Sequence, residues 1–189
     1  MRHLARSVAG RLLGAYALYR IYEHEGPGPE AAGPAGDGVA LDPIEDVDDL
    51  SRATDPALRG LAGFAGPEAF GFAARSDGEL AAACWFWAGE RYRTRNFWPL
   101  RSDEAKLVEI VAAERFRGRG IGPRLIRFAA GRMHRLGYRR LYARVWHSNR
   151  ASAAAFEKAG WREAALVVEV APLGVARPWR FVLGRRRPR

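Results

Sequence analysis

The segment from 106 to 161 constrains the fold more than any other part of this 189-residue chain. An apolar run, Leu107 to Ala113, leads into the glycine-rich sequence Arg117-Gly118-Arg119-Gly120-Ile121-Gly122, and apolar residues at helical spacing follow. This order predicts a strand, a tight loop and a helix. Pro123 supports the boundary, because proline lacks an N–H and is tolerated in the first turn of a helix.

The glycine-rich loop has the properties of an anion site. Glycine allows a tight turn and a close approach of ligand to backbone, and the first turn of a helix offers unpaired N–H groups and a positive dipole end. The loop lacks the Gly-Lys-Ser/Thr of phosphate-loop NTPases and the G-x-G-x-x-G spacing of dinucleotide-binding folds. The sequence therefore predicts a phosphate site of another kind.

A second strand and a second helix follow. Gly137 is a predicted helix stop, and residues 138–146 alternate as in a strand. A short helix is predicted between Ser148-Asn149 and Gly160. Two motifs now stand in order: Arg117-x-x-Gly120-x-Gly122, and Asn149-x-x-Ser152-x-x-x-Phe156 with Lys158-Ala159-Gly160-Trp161. Together they resemble the signature of the GNAT superfamily of N-acetyltransferases.

The resemblance implies an α/β fold, a GNAT-type mixed β-sheet flanked by helices. It implies an N-acetyltransferase that passes an acyl group from acetyl-CoA, or another acyl-CoA, to a primary amine of a small molecule or protein by direct attack. By position, backbone groups of Ile110, Val111 and Ala112 would bind the pantetheine arm and stabilise the oxyanion, with Asn149 beside this arm. The residues that would enclose the pyrophosphate are Arg117, Gly118, Arg119, Gly120, Ile121, Gly122 and Pro123.

Two residues carry chemical hypotheses. Many family members have a tyrosine that protonates the CoA thiolate where this chain has Phe156, which cannot donate a proton. Phe156 is expected to pack against the thioester region, and water, Ser152 or a nearby tyrosine would replace the acid, unless the protein binds CoA with little turnover. An alkyl amine must lose a proton before attack, and Glu109 is the first candidate base. Its alternative role is an ion pair with a neighbouring arginine, and Glu104 and His147 are weaker candidates.

Four regions are predicted along the chain: an amphipathic helix at 1–24, a Pro/Gly-rich linker at 25–38, the acyltransferase domain at 39–184 and a basic tail at 185–189. The N-terminal helical extension is too short and too charged to span a bilayer. Docking on its own domain or a second subunit is expected, with a membrane-surface helix or a transit-like presequence as alternatives. Further strands are expected at 39–44, 70–74, 79–87, 93–100, 163–170 and 177–183, with a broken helical region at 46–64 and a hairpin turn at Ser76-Asp77-Gly78.

Composition restricts cofactors and partners. Lys and Arg total 31 against 21 Asp and Glu, a net charge of +10, which fits an anionic ligand or an arginine-rich proteome. Cys84 stands alone, which excludes an intrachain disulfide, and the scattered His and Cys predict no metal. The amine acceptor is left open, as are a homodimer and peripheral membrane contact, and a cytoplasmic protein is expected. A nucleic-acid or ribosome-associated modifier is the less favoured alternative.

Alternation along the strand predicted at 79–87 places Trp85 and Trp87 on the face of the sheet opposite Phe86.

Overall fold

The computed structural model describes residues 15–26, 38–93, 99–171 and 178–183, which form an eight-stranded mixed sheet flanked by helices. The predicted α/β class is confirmed. The strands are β1 Ala15–Glu25, β2 Val39–Pro43, β3 Ala69–Ser76, β4 Glu79–Trp87, β5 Glu104–Ala112, β6 Arg140–Trp146, β7 Arg162–Ala171 and β8 Trp179–Leu183. The helices are α1 Asp48–Ser51, α2 Pro56–Arg59, α3 Gly89–Arg93, α4 Ile121–Arg135 and α5 Arg150–Lys158, with 3-10 helices at Gly60–Phe64 and Glu114–Phe116.

The sheet has the strand order β2-β3-β4-β5-β6-β1-β7-β8. Neighbouring strands are antiparallel except β5 and β6, which run parallel. A parallel pair needs a crossover connection, and α4 provides it. The glycine-rich loop, which connects β5 to α4, therefore lies at the carboxyl end of β5.

β1 corrects the prediction of an N-terminal helix. Residues 15–25 form a strand that pairs with β6 on one side and β7 on the other, so the domain begins well before residue 39. Tyr19, Ile21 and Tyr22 are all fully buried. A strand covered on both faces carries apolar residues on both faces, so it lacks the simple alternation that marks a half-buried strand. Residues 1–14, 27–37 and 185–189 of the predicted helix, linker and tail lie outside the described residues, as does residue 184 at the end of the predicted domain.

Most of the remaining predicted elements are confirmed. The hairpin between β3 and β4 turns at Asp77 and Gly78, whose φ angles of 53° and 80° are those of a type I′ turn. Residues 46–64 form α1, α2 and a 3-10 helix, and Asp55 caps α2 by accepting the N–H of Ala57 at 2.8 Å. The strand predicted at 93–100 is wrong at its start, where Arg93 ends α3, and 94–98 lie outside the described residues.

The two faces of the sheet are covered by different helices. On the back face, Phe128 of α4 packs against Phe72 and Phe156 of α5 packs against Tyr22. On the front face, the indole N–H of Trp87 donates to the carbonyl of Phe64 at 2.9 Å. Trp85 and Trp87 therefore lie on the front and Phe86 on the back, as predicted, and all three are buried in the core. Phe97 and Trp98 lie outside the described residues.

A pair of histidines, His24 buried and His134 half-buried, connects β1 to α4. Nδ1–H of His134 donates to the carbonyl of Tyr138 at 2.7 Å, which leaves Nε2 of His134 to accept Nδ1–H of His24 at 2.9 Å. Both rings are neutral in this arrangement. Burial, followed by the nearby His134 and Arg162, lowers the pKa of His24 to about 4 from 6.5, and burial also lowers the pKa of His134.

Acid should therefore weaken the fold through His24. The unfolded chain binds a proton at His24 below pH 6.5, whereas the folded chain resists it down to about pH 4. Stability is retained above pH 6.5 and falls between pH 6.5 and 4, by about 2–3 kcal/mol from this group. Urea unfolding across this range measures the slope, and His24→Gln should flatten it. An equal slope in both proteins would assign the acid sensitivity to other groups.

Candidate active site

β5 and β6 separate at their carboxyl ends. The two strands pair only from Glu104 opposite Arg140 to Leu107 opposite Ala143, and beyond this point β6 pairs with β1 alone. A β-bulge in β5 accompanies the separation. Trp85 and Phe86, which are adjacent in β4, pair with Glu109 and Leu107, so Val108 is the additional residue of the bulge. The separation opens a cleft of about 190 Å³ between the two strands, which α5 borders.

The edge of β5 turns backbone groups into this cleft. The N–H of Ala113 donates to the carbonyl of Ala81 on β4 at 2.9 Å, and alternation turns the N–H of Val111 toward β4 as well. The backbone groups of Ile110 and Ala112 consequently face the unpaired side of β5, and Ile110 lines the cleft. Of the three residues predicted to bind pantetheine, Ile110 and Ala112 thus turn their backbone groups away from β4, whereas Val111 turns its own toward β4.

Both of these groups already have partners on this chain. The N–H of Ile110 donates to Oε1 of Glu109 at 3.2 Å. The carbonyl of Ala112 accepts Nε–H of Arg117 at 3.1 Å, which holds this arginine back against the strand. Glu109 lines the cleft and thus lies beside the backbone donor that an oxyanion would use. A ligand at Ile110 would compete with this carboxylate.

The glycine-rich loop presents an open backbone surface. Gly118 and Gly120 have φ angles of 77° and 74°, which favour glycine, whereas Gly122 lies in regular helical backbone. A Cβ placed at any of the three would meet nothing within 4 Å. Gly120 is the N-cap of α4, so the N–H groups of Ile121 and Gly122 in the first turn have no acceptor within the helix. Pro123, the third residue of the helix, has no N–H. The loop thus leaves its backbone open to a ligand, and that it binds an anion stays a prediction. The exposed Arg119 of the loop lies over the ring of Phe116 at 5.4 Å.

α5 supplies the opposite wall of the cleft. Oδ1 of Asn149 accepts the N–H of Ser152 at 3.0 Å and so caps the helix, which leaves the amide N–H groups of Asn149 as donors. Asn149, Ser152 and Phe156 all line the cleft, at the i, i+3 and i+7 spacing of one helix face. Ser152 is therefore a hydroxyl on the wall where Phe156 offers none.

Phe156 is buried against aromatic rings beside the cleft. It is 2% exposed, stacks on Tyr22 with ring centroids 5.7 Å apart, and meets Trp161 edge-on at 5.1 Å. The hydroxyl of Tyr22 donates to Oε1 of Glu157 at 2.8 Å. Burial and this bond raise the pKa of Tyr22 to about 12, so its hydroxyl remains protonated at neutral pH.

Three charged or aromatic residues of the cleft were not anticipated from the sequence: Lys106, Arg144 and Trp146. Lys106 is 6% exposed and its Nζ lies 5.4 Å from the ring of Tyr92. A lysine directly before the apolar run Leu107 to Ala113 was the signal in the sequence that could have indicated this residue. Arg144 lies over the ring of Trp146 at 5.2 Å. Both belong to β6, and only the separation of β6 from β5 exposes them to a ligand.

The weaker base candidates do not line the cleft. Glu104 is buried at the other end of β5, accepts the N–H of Arg101 at 2.9 Å and lies 3.7 Å from Arg140. His147 is exposed, and its backbone N–H donates to the backbone carbonyl of Leu18 at 3.0 Å. Glu109 remains the carboxylate that the cleft contains.

Other chemistries find little support in the described ranges. No group of three or more His, Cys, Asp or Glu there is arranged to hold a metal ion. Cys84 is fully buried, and burial raises the pKa of its thiol, so it is not a reactive nucleophile. Among the described residues, no helix has both the length and the apolar character needed to cross a membrane.

Comparison with known proteins places the site in a family. The model of the acetyltransferase (GNAT) family matches residues 16–161, which contain β1, the cleft and the glycine-rich loop. The chain belongs to the GNAT acetyltransferase family. The match begins at β1, which agrees with the place of this strand inside the sheet. A search of curated proteins found no match.

Solved GNAT structures share the fold. A GNAT-family protein from Novosphingobium aromaticivorans aligns with a TM-score of 0.60 and 21% identity, over 82% of this chain and 63% of its own. A GNAT acetyltransferase from Colwellia psychrerythraea has a TM-score of 0.56 and 17% identity, over 88% and 60%. This chain thus spans about three fifths of the length of both. An acetyltransferase from Bacillus subtilis, in complex with CoA, has a TM-score of 0.50 and 18% identity, over 66% and 76%.

Proposed function

We propose that this GNAT protein is an acyl-CoA-dependent N-acyltransferase that transfers acetyl from acetyl-CoA to a primary amine. The separation of β5 from β6 carries the proposal, because it opens a cleft and leaves an unpaired edge on β5, the strand that the glycine-rich loop and the N-terminus of α4 follow in the chain. An extended arm with amide groups can pair with such an edge while its phosphates meet the helix start. The CoA complex of the Bacillus subtilis relative supports the same ligand class.

The chain's own groups suit each part of this ligand. The N–H groups of Ile121 and Gly122 would bind the pyrophosphate, with Arg117 and Arg119 adding positive charge. Ile110, Ala112 and Asn149 would hydrogen-bond the pantetheine amides. The thioester would then lie near Val108, where the strands begin to separate, between Phe156 and Lys106.

The transfer step assigns a role to Glu109. An amine nitrogen attacks the thioester carbon, the C–N bond forms, the C–S bond breaks, and the amine loses a proton to the carboxylate of Glu109. The CoA thiolate leaves and takes a proton from water or from Ser152. The N–H of Ile110 supports the oxyanion once the ligand replaces Glu109 as its acceptor.

Two measurements test the proposal. Calorimetric titration with CoA and acetyl-CoA measures binding, and release of free thiol from acetyl-CoA with a panel of small amines and amine-bearing peptides measures transfer. Micromolar binding with amine-dependent thiol release supports the enzyme. Binding without transfer to any amine would instead favour a CoA-binding module, and absence of CoA binding would remove the proposal.

Glu109→Gln should separate binding from catalysis. Glutamine keeps the oxygen that accepts the N–H of Ile110 but cannot take a proton at neutral pH, so kcat should fall by about a hundredfold or more. The Kd for CoA should stay within about twofold, because the change is isosteric. Glu114→Gln, an exposed acidic residue of the 3-10 helix that follows β5, is the matched control. Equal rates for Glu109→Gln and wild type would assign the proton transfer to another group.

A further inference from the structure

A second cavity lies at the C-terminal end of α4, the end opposite the glycine-rich loop. It has a volume of about 530 Å³, within the roughly 300–1,000 Å³ that small-molecule sites occupy. The start of β3, the segment between β2 and α1, the residues after the 3-10 helix Gly60–Phe64 and the last turn of α4 surround it. All of its lining residues belong to the part of the chain that the structure describes.

The cavity exists because β3 extends beyond its edge partner. β2 ends at Pro43, opposite Phe72. The N–H of Ile44 then donates to the carbonyl of Gly71 at 2.9 Å, and the chain turns into α1. Phe70 of β3 therefore lies past the end of β2, and it lines the cavity.

The surface of the cavity is mostly apolar and partly open. Ile44, Val47 and Phe70 line it and are half-buried. Leu136, the C-cap of α4, also lines it and is 59% exposed. Apolar side chains that the fold brings together and leaves uncovered are typical of a binding site for an apolar group.

Positive charge lies at one side of this apolar surface. Arg132 and Arg135, both exposed, share with Leu136 the i, i+3 and i+4 positions of one face of α4, and all three line the cavity. The described residues that line it include no Asp or Glu. A guanidinium presents paired N–H donors that match the two oxygens of a carboxylate. The charge therefore favours an anionic group at this side.

A buried donor in the same cavity lacks an acceptor. Trp85 lines the cavity and is 3% exposed, and its indole N–H has no hydrogen-bond partner among the described residues. The six-membered ring lies against β3, because a Cβ at Gly71 would meet its atoms at 2.7–3.0 Å. Buried N–H groups in proteins are nearly always paired. The cavity thus offers a third donor to a ligand that carries oxygen.

We propose that this cavity binds a small apolar carboxylate, such as a medium-chain fatty acid. The carboxylate bonds Arg132 and Arg135, and the apolar body covers Phe70 and Leu136. A polyanion would select clustered cations rather than an apolar surface. α4 has 15 residues and is about 20 Å long, so this site lies about that far from the glycine-rich loop and does not rest on the proposed function.

Titration of the ¹⁵N-labelled full chain with octanoate at neutral pH, followed by NMR, tests the site. Saturable shifts with a Kd of about 1 mM or lower are expected for an acid of this size. The indole N–H resonance that Trp85→Phe removes should be among those that move. Octanamide has the same body without the charge, so it should bind at least about tenfold more weakly.

Two variants separate the charged and the apolar sides of the cavity. Arg132→Gln should weaken octanoate binding by about tenfold and leave octanamide unchanged. Arg162→Gln is the matched control, because it replaces an exposed arginine of β7 that does not line the cavity, and it should bind octanoate as wild type does. Leu136→Gln should weaken the binding of both ligands, since it removes apolar surface that either body would cover.

Four results would overturn the site. Equal affinity for octanoate and octanamide would mean that the two arginines only offset the dipole at the end of α4. Absence of saturable shifts would show that the cavity takes no such ligand. An octanoate affinity unchanged in both Arg132→Gln and Leu136→Gln would place the acid elsewhere on the chain. Displacement of octanoate by CoA would place it in the cleft between β5 and β6.

Discussion

Gly122→Val is expected to weaken CoA binding by about ten- to hundredfold while the fold is retained. Gly122 lies in helical backbone at the second position of α4, and a side chain there meets no protein atom within 4 Å. The added methyl groups would occupy the space in front of the N–H groups at the helix start. Loss of one hydrogen bond to a charged group costs roughly 1.5–3 kcal/mol, which corresponds to this change in Kd.

Gly131→Val is the matched control for this measurement. Gly131 lies in the middle of the same helix, and a Cβ there also meets nothing within 4 Å. Valine and glycine have similar helix propensities, so both variants should unfold within about 0.5 kcal/mol of wild type. Calorimetric titration with CoA should then distinguish them. Unchanged CoA affinity in Gly122→Val would place the phosphates elsewhere and withdraw the loop from the site.

Tyr22→Ala is expected to cost about 3–5 kcal/mol of unfolding free energy, because it deletes a fully buried ring from β1. The ring stacks on Phe156 and its hydroxyl bonds Glu157, so the loss reaches α5 as well as the sheet. For a chain of this length the loss lowers Tm by on the order of 10 °C. Thermal and urea unfolding measure both quantities.

Tyr16→Ala changes the same residue type on the same strand and is the control. Tyr16 is 78% exposed, so its loss should alter stability by no more than about 0.5 kcal/mol. A large difference between the two variants would show that β1 is a central strand of the domain. Similar small effects would mean that β1 contributes little to the core, as an appended N-terminal segment would.

The glycine loop and the helix after it could be predicted because their causes are local. Positive φ angles at Gly118 and Gly120, the proline in the first turn of α4 and the cap at Asn149 depend on nearby residues, and each appears in the sequence as a residue type at a fixed spacing. The same holds for the turn at Asp77 and Gly78. Two such motifs in order were sufficient to indicate the family before any strand was paired.

β1 could not be predicted in this way because its conformation depends on distant partners. Residues 15–25 become a strand by bonding to β6 and β7, more than a hundred positions away in the chain. Burial of Tyr19 and Tyr22 on opposite faces hides the alternation that a half-buried strand shows. Local apolar spacing therefore favoured a helix, and tertiary pairing decided otherwise.

The sequence by itself determined the glycine-rich loop between a strand and a helix, the order of the motifs and the absence of a hydroxyl at Phe156. Only the tertiary structure decided which groups share the cleft. Val111 turns toward β4, Ile110 and Ala112 face the unpaired edge, and Arg144 and Trp146 line the cleft because β5 and β6 stop pairing after Leu107. The physical reason is that the alternation of side chains along a strand follows from the sequence. Which edge of a strand stays unpaired, and which groups then share a cleft, depends on how the strands pair in the folded sheet.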